Sequence, residues 1–388
     1  MAFGGLAVVL GEAARAEESA PAVVRPQAAE PVAVADLDAA IARGVAFLVA
    51  EQNADGSFGT PGRTKDLNIT AGLGSHHGFL AATTALAVQA LVEEDDGSPG
   101  VTRAIDRGED WLVAELPRVR RHDAALIYNI WAHAYGIQAL VALRGRRPDD
   151  AGRRARLEEV IRGQYDLLGR YESAEGGWGY YDFGAGTQRP NSSSQSFVNA
   201  AVLVAFHDAR AIGVQPPETL VRRAVAATEF QRLPDFSYLY GSYLKWRPRR
   251  EINRPAGSLG RSQACNLALR LWGDDTITDA VLEEWLERLV ERNGWLEMGR
   301  KRPIPHESFA QVAGYFYYFG HYYAARVIEV LPPASRPRHQ EALARIMLAV
   351  QDADGSWWDY PLYDYHQHYG TGYALMTLHR CRKARQEE

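Results

Sequence analysis

Gln351-Asp-Ala-Asp-Gly-Ser-Trp357 repeats a pattern already written as Gln52-Asn-Ala-Asp-Gly-Ser-Phe58 and Glu172-Ser-Ala-Glu-Gly-Gly-Trp178. Each copy follows a helical stretch with a large apolar pair at one fixed distance: Phe47-Leu48, Leu167-Leu168 and Ile346-Met347. A recurring helix, polar stop, glycine turn and aromatic residue is a stacking unit, because a single helix cannot bury its apolar face alone. Arg107-Gly-x-x-Trp111-Leu112 repeats Arg43-Gly-x-x-Phe47-Leu48, although its turn gives way to Leu116-Pro117. Weaker copies run from Arg222 to Gln231 and around Trp285-Leu286, making six amphipathic outer helices.

A second, more apolar helix follows each of them: Ala81 to Val92, Leu126 to Leu143, Ser196 to Ala211, Ser262 to Trp272, Phe309 to Leu331 and Gly370 to Cys381. Charges are few and small or aromatic residues occur all round, so these segments should be contacted on more than one side. Six hairpins closed on themselves give an all-α fold, an (α/α)6 toroid with a central cavity; a linear solenoid of the same hairpins is the alternative. Closure is expected because the first and last copies match best, whereas solenoid ends diverge into polar caps.

The helix, Gln, acidic-Gly turn and Trp or Phe resemble the QW repeats of the superfamily that holds squalene-hopene cyclases, other class II terpene cyclases and protein prenyltransferase β subunits. The resemblance runs from about Asp36 to Arg385. It implies a toroid that accepts an isoprenoid. The activation motifs do not follow. The Asp-x-Asp-Asp run with which the cyclases protonate an alkene is absent, and the nearest pairs, Asp95-Asp96 and Asp274-Asp275, sit in turn-like sequence that suits helix capping. Of the prenyltransferase zinc ligands the resemblance places Cys265, but Gln263 stands where an Asp belongs and Gly370 where the His belongs. His366 and His368 could replace that His only if other ligands converged on them, so neither a metal nor a cofactor is expected. Cys265 and Cys381 read as reduced and packed.

The 388 residues, 46% hydrophobic, suffice for a large core, and a formal charge of -5 exerts no overall pull toward nucleic acid. No apolar run reaches the roughly 18 residues of a membrane span. Phe3 to Leu10 with Ala14-Arg15-Ala16 reads as the tail of a secretory signal (residues 1–16) and residues 17–36 as a disordered Ala/Pro-rich spacer, leaving 37–385 as one domain of a monomeric, extracytoplasmic protein.

Polar clusters precede or open the inner helices: His76-His77, His122-Asp123 with Tyr128 and Asn129, Ser192 to Gln195, Arg261 with Gln263, His306-Glu307, and Asp364 with His366 and His368. If the ring closes, these converge. His306, Glu307, His366, Asp364, Asn129 and Tyr128 are the catalytic candidates. His76, His77, His122, Arg261, Gln263, Cys265 and His368 are ligand-binding candidates, together with Tyr315, Tyr318 and Tyr322 of the stripe Tyr315 to Tyr323. For any single cluster, helix capping explains the residue types as well. The basic runs Arg118 to His122, Arg144 to Arg147 and Lys245 to Arg250 lie in connections, where they read as solvated faces. Gly-rich phosphate loops and Gly-x-Ser-x-Gly elbows are absent. Three functional readings remain: an isoprenoid or other apolar ligand in an aromatic cavity, a polysaccharide-active enzyme acting beside a uronate, or a non-catalytic binding or structural toroid.

Overall fold

The computed structural model describes residues 31–67, 69, 71–121, 125–182, 190, 193–306 and 311–383. The expected signal segment, most of the spacer, His122, Ser192 and Glu307 lie outside these residues. In chain order the helices are α1 Val34–Ala50, α2 Leu73–Glu93, α3 Pro99–Glu115, α4 Asn129–Arg146, α5 Ala151–Tyr171, α6 Ser196–Ala211, α7 Glu218–Phe230, α8 Pro255–Leu271, α9 Asp279–Glu291, the short α10 Asn293–Glu297, α11 Phe316–Val330, α12 Arg336–Ala349 and α13 His366–Lys383. Among the described residues there is no strand. The spacer was expected to end at residue 36, but α1 already begins at Val34.

Two burial patterns separate the helices into layers. In α9 the buried residues are Leu282, Trp285, Leu286 and Leu289, a single stripe at helical spacing. Each such side chain contributes about 1.5–3 kcal/mol when removed from water. In α6 every residue from Ser196 to Phe206 is buried, because neighbours press on several sides. The inner helices touch in the order α2, α4, α6, α8, α11, α13, and α13 returns to α2, so the ring is closed. Where α8 meets α11, Gly260 and Gly320 let the backbones touch; a Cβ at position 320 would lie 2.6 Å from the Gly260 Cα.

The seam that closes the ring is made like the other seams. Gly56, Gly176 and Gly355 hold φ of 96°, 96° and 88°. A Cβ there would meet the carbonyl oxygens of Arg107, Arg223 and Arg43, each in the next outer helix, at 2.4, 3.0 and 2.7 Å. Gln52 donates to the Ala104 carbonyl at 2.8 Å, and Gln351 donates to the Ala40 carbonyl at 3.0 Å. The last turn therefore grips α1 as the first turn grips α3. Trp178 and Trp357 each send their indole N–H to a carbonyl ten residues back, Leu168 and Met347, at 2.9 Å.

Five of the six expected inner-helix starts shift, the second by three residues, from Leu126 to Asn129. Leu73, Pro255 and His366 begin their helices earlier than residues 81, 262 and 370, so the polar clusters His76-His77, Arg261 with Gln263, and His366 with His368 lie within the helices. α11 begins later, at Phe316: residues 311 to 315 are non-helical, and Gln311 has a φ of 52°.

Candidate functional site

Among the described residues a hollow lies near the N-terminal ends of the inner helices. There a chamber of about 180 Å³ is lined by Phe79 and Leu86 of α2, Tyr128, Trp131 and Tyr135 at the start of α4, Phe197 of α6, Phe316 and Phe319 of α11, and Tyr369 and Tyr373 of α13. Ile69, Tyr180, Tyr181, Pro305, His306, Tyr315, Tyr360 and Leu362 complete the wall from the connections, with Ala82 and Thr83 of α2. Thirteen of these twenty residues are Phe, Tyr or Trp, and none is Asp or Glu. The rings pack both edge to face, as between Phe197 and Phe316 at 5.0 Å and 80°, and stacked, as between Trp131 and Tyr135 at 5.7 Å and 7°.

Two polar features interrupt this wall. Along the first, His306 Nδ1 lies 2.7 Å from the Gln311 carbonyl and its Nε2 lies 3.0 Å from the Tyr315 hydroxyl. Tyr315 is 3.4 Å from the Tyr240 hydroxyl, which in turn contacts that of Tyr180. Burial lowers the His306 pKa and keeps the ring neutral. The second is Asp359, fully buried, which accepts from the Tyr369 hydroxyl at 2.7 Å and from the Tyr318 backbone N–H at 3.0 Å. No ion pair to Asp359 occurs among the described residues, and burial pushes its carboxyl up to about 7. Tyr369 stands between this acid and the chamber, its hydroxyl also 3.1 Å from the Tyr360 carbonyl.

Beyond the chamber the hollow is sealed. Tyr322 of α11 donates to Gln138 of α4 at 2.9 Å, and Arg326 of α11 pairs with Asp208 of α6 at 2.8 Å. At the same helix ends Arg380 pairs with Glu93 and Arg382 with Glu94, both at 2.6 Å.

Of the expected site residues, Tyr128, Tyr315 and His306 line the chamber. The other described ones do not meet there. His77 pairs with Glu115 at 3.3 Å, and His76 stacks edge-on against Tyr363 at 4.5 Å. Asn129 contacts His133, which reaches Gln164 of the outer helix α5 at 2.8 Å. Gln263 donates to the Trp285 carbonyl of α9 at 2.8 Å. Cys265 is packed, its thiol pushed up to about 12 by burial, so it supplies no thiolate. Arg261 is buried behind Tyr240 and donates to the carbonyls of Tyr238 at 2.9 Å, Gly257 at 2.8 Å and Ile252; burial lowers its pKa to about 10. Asp364 accepts from Thr60 at 2.9 Å. His366 lies edge-on to Trp358 at 5.1 Å, held neutral with a pKa lowered to about 4 by burial. His368 packs on Phe47 of α1. Tyr318 and Tyr322 are buried outside the chamber, because the inward face of the aromatic stripe is 315, 316 and 319 rather than 315, 318 and 322. No three His, Cys, Asp or Glu side chains among the described residues are grouped to hold a metal ion.

Tyr180, Tyr240, Asp359 and Tyr369 were not expected at the site. A signal existed: Tyr180, Tyr240 and Asp359 each lie two residues after the aromatic of a turn, Trp178, Tyr238 and Trp357, and so hold the same place in three repeats.

The fold defines the class, an α/α toroid. No family model matches the chain, and no curated protein matches its sequence. Among solved structures it is similar to a type II terpene cyclase from Scytonema, at 14% identity and a TM-score of 0.50 over 92% of this chain and 100% of that one. It is also similar to an α-1,6-mannanase of Salegentibacter sp. HEL1_6, at 9% and 0.55 over 90% and 99%. A third is an unsaturated glucuronyl hydrolase from Streptococcus agalactiae, at 12% and 0.52 over 91% and 93%. At such identities the likeness is one of fold alone.

Proposed function

We propose that this toroid takes an isoprenoid or another apolar group into the chamber at the N-terminal ends of its inner helices. One observation carries the reading: a wall of thirteen aromatic residues without a carboxylate. Such a wall gains from excluding water around apolar surface, and its π faces suit double bonds. Size narrows the ligand. An apolar cavity of about 150 Å³ takes up benzene, so about 180 Å³ suits one ring or about two five-carbon units. A longer isoprenoid would enter by one end.

The terpene cyclase among the solved neighbours is consistent with this ligand class. The mannanase and the glucuronyl hydrolase invite a glycan-active reading. Glycoside hydrolysis ordinarily uses two carboxylates flanking the scissile bond, and the described wall exposes none, since Asp359 is screened by Tyr369. Membership of the cyclase and prenyltransferase superfamily, and export through the apolar run Phe3 to Leu10, belong to the same proposal. Sequencing the N-terminus of the mature protein tests export; an N-terminus still at Met1 counts against it.

The ligand reading is tested by organic extraction of the purified protein followed by mass spectrometry, with soluble mannan and uronic-acid polymers titrated in parallel. An apolar compound recovered in near-stoichiometric amount supports it. Glycan binding with no apolar compound overturns it.

A further inference from the structure

We infer that the chamber's ligand carries a hydroxyl, as an apolar alcohol or phenol does, and that this hydroxyl donates to the phenolic oxygen of Tyr180. The inference rests on the apolar-ligand reading above. It follows from counting protons along a chain of side chains that runs from His306 and Tyr315 on the chamber wall, behind the wall at Tyr240, and back to it at Tyr180. The Gln311 carbonyl can only accept, so the His306 Nδ1 at 2.7 Å carries the hydrogen. In a neutral imidazole the Nε2 must then accept, and it accepts from the Tyr315 hydroxyl at 3.0 Å. A phenol has one proton. With that of Tyr315 committed, the 3.4 Å contact to Tyr240 has Tyr240 donating, and the contact beyond it has Tyr180 donating.

One carbonyl therefore sets the direction of four hydrogen bonds, and the chain ends on the Tyr180 oxygen with an accepting lone pair at the wall. No group among the described residues donates to that oxygen. A buried polar atom left unmatched is costly, so a ligand that donates there is favoured over one that cannot. A hydroxyl fits. An ammonium does not, because the buried Arg261 guanidinium, 5.9 Å from the Tyr240 ring, has no carboxylate partner among the described residues and opposes a second cation. The arrangement is held against backbone strain: His306 and Gln311, which anchor the chain, have φ of 63° and 52°.

Calorimetric titration of the full chain with benzyl alcohol, benzyl methyl ether and toluene tests this. These probes share a ring that fits the chamber, and only the first can donate. We expect the alcohol to bind about tenfold tighter than the ether, the worth of one good hydrogen bond. Tyr180→Phe supplies the second arm. It removes the accepting oxygen, so the alcohol should lose its advantage and bind no tighter than the ether. Equal binding of alcohol and ether by the unmodified protein, or an alcohol preference that survives Tyr180→Phe, overturns the inference while toluene binding leaves the apolar reading standing. Failure of all three probes to bind removes that reading and the inference together.

Discussion

At the N-terminal ends of the inner helices the hollow is walled by aromatic rings and left open; at their C-terminal ends it is crossed by Arg326–Asp208 and Tyr322–Gln138 and rimmed by Arg380–Glu93 and Arg382–Glu94. The same six helices build both ends, and the helix dipole accounts for part of the difference. Arginines gather near C-terminal ends, as Arg144, Arg146, Arg210, Arg270, Arg326 and Arg380 do, where the partial negative charge of the last turn favours a cation. Acids from neighbouring helices then pair with several of them, and the pairs seal the barrel. At the other end the partial charge is positive, and the wall offers neutral rings. The ends thus differ in build: one ties the ring together with charged pairs and the other leaves an aromatic hollow.

That difference can be broken deliberately. The largest effect is expected at the sealed end. Arg326→Met leaves Asp208, whose side chain is 17% exposed, without its arginine partner and should cost up to about 3–5 kcal/mol of unfolding free energy in urea titration, whereas adding Asp208→Leu should return most of the loss. Next comes Asp359, whose carboxyl near 7 lies above its unfolded value of 3.8. The folded state then holds the proton more tightly than the unfolded one. Its stabilising contribution is complete below about pH 4 and is lost as pH rises through about 7, on the order of 4 kcal/mol in all. Urea midpoints at pH 5 and pH 8 should show this decline, and Asp359→Asn should flatten it.

A smaller effect on stability but a large one on binding is expected from Ala82→Leu. It places a branched side chain in existing space, so stability should move by about 1 kcal/mol or less, while toluene affinity falls at least tenfold by calorimetry. The smallest effect is expected at Arg249, exposed in the connection before α8. Arg249→Ala should stay within about 0.5 kcal/mol, in contrast to Arg326 of the same residue type.

How much of this was legible depended on whether a residue's role was local or shared. The turn copies at 52–58, 172–178 and 351–357 encode their own geometry, so the hairpins, their layers and the closure of the ring could be read from them. The chamber could be read only in part. Tyr128, Tyr315 and His306 were among the expected residues, but His368, Gln263 and Asn129 turn toward outer helices, because the first turn of an inner helix has as much outer surface to serve as inner. The helical register of 315–323 was correctly seen as a stripe, yet 316 and 319 face inward instead of 318 and 322, because the packing of α11 on its neighbours, not its sequence, sets which side turns to the axis. Asp359 escaped notice because its character comes from burial beside Tyr369 and Tyr318, which only the fold brings against it. The sealing pairs escaped for the same reason: Arg326 and Asp208 are ordinary surface-type residues until the ring brings them together.

The central claim, a dry apolar hollow at one end of a closed ring, is most directly tested by a crystal pressurised with xenon. The account predicts xenon bound among Phe79, Trp131, Phe197 and Phe319, and none beside Arg326 and Asp208. A chamber filled with ordered water, or one collapsed so that no xenon enters, would contradict it.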